Sequence, residues 1–455
     1  MSEWAQDAVF YHLYPLGACG APARNDLISN PEPRLESLIP WIGHAAGLGA
    51  TALYLGPVFE SGTHGYDTVD YFHVDRRLGT EPLLAEIVAE AHRHGVRVIL
   101  DAVFGHVGRD FWAFRDVRDH GANSAYCQWF RGLDFGKPGP FGDRFRYEHW
   151  KDAPELPRLE LSCPDVRSHL FAAVDYWASS FRIDGLRLDS ADWLDTEFLS
   201  ALRRHCNHLS PDFWLMGEVI HGDYRRWANP DALHSVTNYE VYKGLWSSHA
   251  DHNFFEIAYS LDRQFGRQGI YRGIALYNFA DNHDVNRVAS MVPERAHLFP
   301  LYCLLFTIPG VPSLYAGSEW GITGTRTRTD DRALRPCLDL GTMRRNYSSD
   351  LPDAIRRLIA VRRGSEALRR GDYRQLAVAS EQLAFLRQTP QEAVAVVVNA
   401  APSEQTVTLD LREWSNARLV DLLNPPASYR VERGRARIDV PARWTRVLRI
   451  ERVGA

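Results

Sequence analysis

The sequence predicts an α/β protein: a (β/α)8 TIM barrel with a loop-rich subdomain inserted after the third strand and a C-terminal antiparallel β-sandwich domain. Three observations carry this. Eight short apolar segments recur, each closed by Gly, Pro or a polar residue; helical patterns lie between them; and beyond residue 371 the texture changes to period-two alternation.

The eight segments are AVFYHLYP near residue 8, ATALYLGPVF from 50, GVRVILDAVFGH from 95, FRIDGLRLDS from 181, FWLMGEV from 213, HSVTNY from 234, IALYNFADNHD from 274 and GVPSLYAGSEW from 310. Each holds a run of β-branched and aromatic residues, which is how a strand buried on both faces reads. EPLLAEIVAEAHRHG (81–95) places apolar residues at three- and four-residue spacing before a glycine stop, and CPDVRSHLFAAVDYWASSF (163–181) repeats the pattern. Roughly 85 residues separate the third and fourth segments, far more than any other pair, so an insertion is expected there. It is rich in aromatic, Gly and Pro residues and should sit over the barrel mouth. After a helix at 351–371, seven short alternating runs from RQLAVA to TRVLRI predict the antiparallel domain. The expected boundaries are 1–106 and 161–371 for the barrel, 107–160 for the insertion and 372–455 for the last domain.

With 52 basic against 57 acidic residues, a net charge of −5 and no basic block, the chain is a poor partner for nucleic acid or an anionic membrane surface. No run reaches the roughly 18 apolar residues of a membrane span, and the first residues show no export signal. The six cysteines are scattered without paired spacing, as in a reduced cytoplasmic protein. Neutral small molecules are the better ligands. The 13 Trp and 19 Tyr would suit a groove that stacks sugar rings, although core packing accounts for most aromatic residues.

In a barrel of this kind the C-terminal strand ends face the active site. Asp101 and His106 follow the third strand, Arg187 and Asp189 the fourth, Glu218 the fifth, and His283 with Asp284 the seventh. Arg187 and Asp189, two apart in a strand, share a face. A guanidinium so placed is expected to lower the Asp189 pKa, as a nucleophilic carboxylate requires. Glu218, after the apolar FWLMG, should rise by desolvation, as a general acid requires. The bland alternative is a structural salt bridge and a capped strand end.

DAVFGH (101–106), GLRLDSADW (185–193), GEVIH (217–221) and FADNHD (279–284) together resemble the four signatures of glycoside hydrolase family 13, the α-amylase family. HGYDTVDYF (64–72) resembles its second-strand loop and GVPSLYAGSEWG (310–321) its eighth-strand motif. The resemblance implies that Asp189 is the nucleophile, Glu218 the general acid/base and Asp284 the carboxylate that stabilises the transition state. It further implies that Arg187, His106 and His283 hold the nucleophile and sugar hydroxyls, that Tyr66 stacks on the sugar ring, and that Asp101 organises the floor. Arg287 matches the arginine after the fourth motif, and His221 is a further substrate-binding position. Asp192 either lines the acceptor side or caps a helix; Asp195 is read as surface or cap. The implied mechanism is retaining, with the two central carboxyl groups roughly 5–5.5 Å apart.

Many relatives bind calcium through an asparagine of the first motif; here that residue is Gly105. The fifth motif reads LPRLE, with Arg158 where an acidic residue is common. A lost oxygen ligand and a gained cation argue against the calcium site, so no metal or other cofactor is expected. LPRLE, HGYDT and GEVIH, with Thr63 where exo-glucosidases carry an aspartate, resemble the neopullulanase, cyclomaltodextrinase and maltogenic amylase group. The expected activity is hydrolysis of α-1,4 bonds in short or cyclic malto-oligosaccharides, with α-1,6 bonds as an additional target. A transglycosylase or isomerase on the same machinery is the alternative, and a non-catalytic carbohydrate-binding relative is the third reading. A homodimer is left open, since that group dimerises through an N-terminal β domain and this chain starts near the first barrel strand.

Overall fold

The computed structural model describes residues 3–328, 330–346 and 350–452. Strand and helix alternate as the pattern predicts: β1 (Phe10–Leu13), α1 (Ile39–Leu48), β2 (Ala52–Leu55), α2 (Glu81–Arg93), β3 (Arg97–Ala102), α3 (Pro164–Ser180), β4 (Gly185–Leu188), α4 (Thr196–Leu209), β5 (Trp214–Gly217), β6 (Ser235–Val236), α5 (Tyr239–Ala250), α6 (Phe254–Phe265), β7 (Tyr277–Phe279), α7 (Leu298–Thr307), β8 (Val311–Tyr315) and α8 (Leu351–Gly364). The eight strands are parallel in the spatial order β6-β5-β4-β3-β2-β1-β8-β7, and a parallel bridge from Thr237 to Tyr277 closes the ring. This is the expected barrel.

Helix α2 shows how the outer layer forms. Pro82 stands in its first turn, where an amide partner is not needed, and Leu84, Ile87, Val88 and Ala91 are buried at three- and four-residue spacing. The leucine, isoleucine and valine side chains each contribute about 1.5–3 kcal/mol by leaving water. Inside the barrel, residues two apart on each strand build layers. The floor is aromatic: the Phe10 ring lies 5.2 Å from Trp214 and 5.4 Å from Tyr277. Strands β4 and β5 approach so closely there that a Cβ on Gly185 would lie 2.2 Å from the Trp214 carbonyl oxygen. Above this floor the inward positions turn polar, with His12 beside Tyr54 and Asp101 beside Arg187 in register. The strand ends therefore deliver a polar cluster onto a dry base.

The insertion after β3 contains a helix (Trp112–His120) and a hairpin (His149–Trp150 with Ala153–Pro157), tied back by bridges His106–Arg158 and Phe130–Leu159. A second excursion, the hairpin Phe59–Ser61 with Thr68–Val74, follows β2 and carries Tyr66 in its turn. The run at 351–371 is two helices, not one. Ser365 interrupts it because its hydroxyl accepts from the Leu368 amide, capping a new helix, Glu366–Arg370.

The remaining strands are β9 (Asp372–Val378), β10 (Gln382–Gln388), β11 (Ala393–Asn399), β12 (Gln405–Asp410), β13 (Arg418–Asp421), β14 (Ser428–Arg430), β15 (Arg435–Val440) and β16 (Trp444–Glu451). Six form one sheet in the order β9-β10-β11-β16-β13-β14, and β12 pairs with β15. All seven predicted runs are strands; β14, three residues long, is too short to show alternation. Their inner faces pack Leu386, Val397, Leu409 and Ile438 into a core of their own. A Cys303 Sγ contact with Thr445 Oγ1 at 2.9 Å and an Arg443–Glu294 pair at 2.7 Å link this domain to the barrel.

Candidate active site

Arg187, 3% exposed, is the hub of the barrel mouth. Its Nη1 donates to Asp101 Oδ1 and Asp189 Oδ1, both at 2.8 Å, and its Nη2 lies 2.9 Å from Glu218 Oε2. One planar fork thus fixes three carboxylates from three strands. Asp101 Oδ2 also accepts from the hydroxyls of Tyr54 at 2.7 Å and Tyr66 at 2.9 Å. After Asp189 the chain turns sharply through Ser190, at φ 45° and ψ 48°, a left-handed conformation uncommon for a residue with a Cβ. That turn aims the Ser190 amide at Glu218 Oε2, 3.0 Å away, while Glu218 Oε1 accepts from the Tyr239 hydroxyl at 3.3 Å.

The charge balance differs from the sequence expectation. Asp189 is raised well above the ordinary carboxylate range, because burial and the negative charges of Glu218, Asp101 and Asp284 together outweigh Arg187. The prediction of a lowered Asp189 is therefore wrong. The motif shows its arginine but not the carboxylates that other strands bring. Asp284 goes the other way. Burial raises it, but His283, Arg335 and Arg187 prevail and hold it well below the usual range as an anion.

Around these groups stand Tyr66, His106, His283 and Arg335. The Tyr66 ring lies 5.6 Å from that of His283, nearly parallel, and its hydroxyl bonds the His283 Nε2. His283 Nε2 lies 3.0 Å from Asp284 Oδ2, and Arg335 Nη2 is 2.8 Å from Asp284 Oδ1. His106 Nε2 lies 3.1 Å from the Tyr66 carbonyl, and burial pushes its pKa down to about 3, so the ring is neutral and Nε2 donates. The sequence reading missed His12, Tyr14, Tyr54, Tyr239 and Arg335. His12, stacked 4.1 Å from the Tyr54 ring, was legible as a polar residue at an inward strand position. Arg335 follows a short 3₁₀ turn after β8, lies over the Tyr14 ring at 4.7 Å and carries no periodic signal.

Two positions do not reach the site as expected. Arg287 is fully buried: its Nη1 donates to the Ala316 carbonyl at 2.8 Å and to Ser318 Oγ at 3.1 Å, with the guanidinium 3.8 Å from the Tyr315 ring centre. It braces the loop that follows β8, and the Val288 amide, donating to Asp281 Oδ2 at 2.8 Å, folds the chain after Asp284 back onto the end of β7. His221 is exposed and does not line the cleft, its strand having ended at Gly217. Asp192 does line it, within a 3₁₀ turn at Ala191–Trp193, and burial raises its carboxyl. Asp195 precedes α4 without a side-chain cap bond and faces Arg131 at 4.0 Å.

The positions read for calcium are those of Gly105 and Arg158. A Cβ on Gly105 would meet Leu194 at 3.1 Å, and the Arg158 guanidinium lies over Trp193 with Nη2 3.3 Å from its carbonyl. Among the described residues no group of three or more His, Cys, Asp or Glu could hold a metal. No helix among them is long and apolar enough to cross a membrane.

The groups open into a cleft of about 580 Å³, with Asp189, Glu218 and Asp284 at its base and Trp150 and Lys151 of the insertion on its wall. Residues 35–361 match the family described as alpha amylase, catalytic domain, and residues 373–443 match maltogenic amylase, C-terminal domain. A cyclomaltodextrinase of Geobacillus thermopakistaniensis (strain MAS1) is 31% identical over 452 residues, spanning 92% of this chain and 73% of its own. Neopullulanase 2 of Thermoactinomyces vulgaris is 32% identical over 444 residues, spanning 92% and 74%. Among solved structures, the ligand-free cyclic alpha-maltosyl-(1→6)-maltose hydrolase from Arthrobacter globiformis aligns with a TM-score of 0.82 at 28% identity, covering 98% of this chain and 99% of that one.

Proposed function

The chain belongs to the α-amylase family of glycoside hydrolases, and from that premise we propose that it hydrolyses α-1,4 and α-1,6 bonds of short or cyclic malto-oligosaccharides with retention of configuration. The observation that carries the reading is the single guanidinium of Arg187 gripping Asp189 and Glu218 at the base of the cleft. Holding both carboxylates on one fork supports a nucleophile and an acid that serve one bond, the arrangement of a retaining reaction. With the proton of the cluster on Glu218, the Asp189 carboxylate attacks the anomeric carbon. Glu218 gives its proton to the leaving oxygen and then takes one from the water that releases the glycosyl-enzyme ester. Asp284, an anion beside Arg335 and His283, stabilises the positive charge that develops on the sugar ring.

The substrate class rests on two supports. The relatives are named for action on cyclomaltodextrin, pullulan and a mixed-linkage cyclic tetrasaccharide, and the last of them matches this chain end to end. Thr63 donates to Asp67 Oδ2 at 2.9 Å, so this position presents no carboxylate to a terminal sugar. The reaction is proposed to need no metal, since Gly105 and Arg158 occupy the positions of the calcium-binding relatives. Six unpaired cysteines favour a reducing compartment, and the cytoplasm is the proposed location.

Initial rates on maltotriose, β-cyclodextrin, pullulan, soluble starch and the mixed-linkage cyclic tetrasaccharide test this reading. Short and cyclic substrates should lead. Starch ahead of all the others would refute the small-substrate reading, and new linkages with little reducing sugar would replace hydrolysis by transfer.

A further inference from the structure

The inserted hairpin reaches the cleft at its turn. Its strands, His149–Trp150 and Ala153–Pro157, are joined by Lys151 and Asp152, and Lys151 stands at φ 45°, in the left-handed region. Trp150, Lys151 and Ala153 line the cleft. The Lys151 ammonium lies over the Trp150 ring, 4.3 Å from its centre. Among the described residues no hydrogen bond or ion pair holds this exposed lysine, so its charge is free to turn to a ligand.

The side of the reaction it serves follows from Glu218. The acid protonates the leaving oxygen, so the departing sugar sits beside it. The turn Ala191–Trp193 is bonded to that residue: the Ser190 amide donates to Glu218 Oε2 at 3.0 Å and the Ala191 amide to the Glu218 carbonyl at 2.8 Å. Asp192, in this turn, lines the cleft. The insertion is fastened to the same turn, because the Arg158 guanidinium lies 5.3 Å from the Trp193 ring centre and its Nη2 is 3.3 Å from the Trp193 carbonyl. The Lys151 charge reaches Asp192: burial and Glu218 raise that carboxyl, and Lys151 with His221 opposes them. A hydroxyl acceptor, a charged donor and an indole face therefore meet beside the acid. Such groups hold a neutral sugar, the polar ones by its hydroxyls and the indole by its ring.

We propose that Lys151 determines specificity on the leaving-group side, its ammonium exchanging the Trp150 ring for hydroxyls of the sugar that departs or is accepted there. The proposal rests on the hydrolase reading above and names the residue with which that site recognises its leaving or acceptor sugar. The sugar ring takes the place of the ammonium on the indole, and Asp192 accepts from the same sugar. Because Lys151 meets the substrate only on this side, its loss should spare a donor whose leaving group is not a sugar.

Maltotriose and α-maltosyl fluoride separate the two sides, since both donate a maltosyl group and they differ in what leaves, glucose against fluoride. Lys151→Met should lower kcat/KM for maltotriose about tenfold and hold that for the fluoride within about twofold of wild type. With the fluoride as donor and maltose as acceptor, the ratio of transfer to hydrolysis should fall about tenfold as well. Lys151→Arg, which keeps the charge, should lie closer to wild type than Lys151→Met on both readouts. Lys151 is exposed, so neither variant touches the core, and the fluoride rate of each reports an intact catalytic site in the same assay. An equal loss on both substrates in Lys151→Met, or no loss on maltotriose with an unchanged transfer ratio, would overturn the proposal alone. Wild type inert to both substrates would overturn the hydrolase reading, and this proposal with it.

Discussion

At the C-terminal ends of the strands Arg187, 3% exposed, meets three carboxylates, whereas at the N-terminal ends Arg362 and Arg387, 0% and 1% exposed, bond only backbone carbonyls among the described residues. Both arrangements satisfy a buried guanidinium, and they do different work. The lower pair takes up the carbonyls left over where α7 and the short helix Glu366–Arg370 end, which makes them helix caps. The upper one binds groups that can change their own charge. There the balance of one cation against three direct acidic partners leaves Asp189 raised and the cluster poised to hold a proton. Main-chain partners give stability alone; ionisable partners give chemistry.

Substitutions at the two ends should separate these roles. The largest effect is expected for Asp189→Asn, which should lower kcat about 10⁴-fold while leaving the melting temperature nearly unchanged, as steady-state kinetics and a thermal scan can show. Arg187→Met should cost about 10³-fold in kcat/KM, roughly 4 kcal/mol of barrier, and should move the acidic limb of the pH profile upward. The sign follows from the loss of the one charge that lowers Asp189, so the carboxylate stays protonated to higher pH. At the other end Arg362→Met should leave kcat of the folded enzyme unchanged and destabilise it by about 3 kcal/mol, read by urea unfolding, because buried carbonyls lose their donor. If Arg362→Met abolished activity in folded protein, the comparison would fail.

A smaller effect should appear at both ends at once. Burial holds His106 at the mouth and His249 on α5 near about 3, against 6.5 for a free ring. Below pH 6.5 the unfolded chain takes up protons that these folded rings refuse, so stability falls as pH falls toward 3. Each histidine adds about 1.4 kcal/mol per pH unit. His249→Gln should flatten that slope in urea titrations at successive pH values without touching KM. Smallest of all, Asp192→Asn should change KM by about two- to tenfold, ~1 kcal/mol, with kcat nearly intact.

All eight barrel strands could be read from the sequence because buried parallel strands are short apolar runs with polar ends, and the polar ends were themselves the site. The three central carboxylates were legible for the same reason. What failed depended on neighbours that other strands supply. LRLD displays Arg187 beside Asp189 but hides Asp101, Glu218 and Asp284, and so the direction of the Asp189 shift was misjudged. Arg287 sits in sequence near Asp284, yet with the Val288 amide bonded to Asp281 it turns to the loop that follows β8 and not to the cleft. Arg335, which does reach Asp284, lies 51 residues further on in a segment without periodicity. Proximity along the chain was a poor guide wherever a loop intervened.

The central claim is that Asp189 is the nucleophile and Glu218 the acid held on one guanidinium. The most direct measurement incubates the enzyme with 5-fluoro-α-D-glucosyl fluoride, whose ring fluorine slows release of the intermediate, and maps the labelled peptide by mass spectrometry. A fluoroglucosyl adduct on Asp189, absent from Asp189→Asn, is the predicted result. An adduct on another residue, or unlabelled enzyme that releases β-configured sugar, would contradict it.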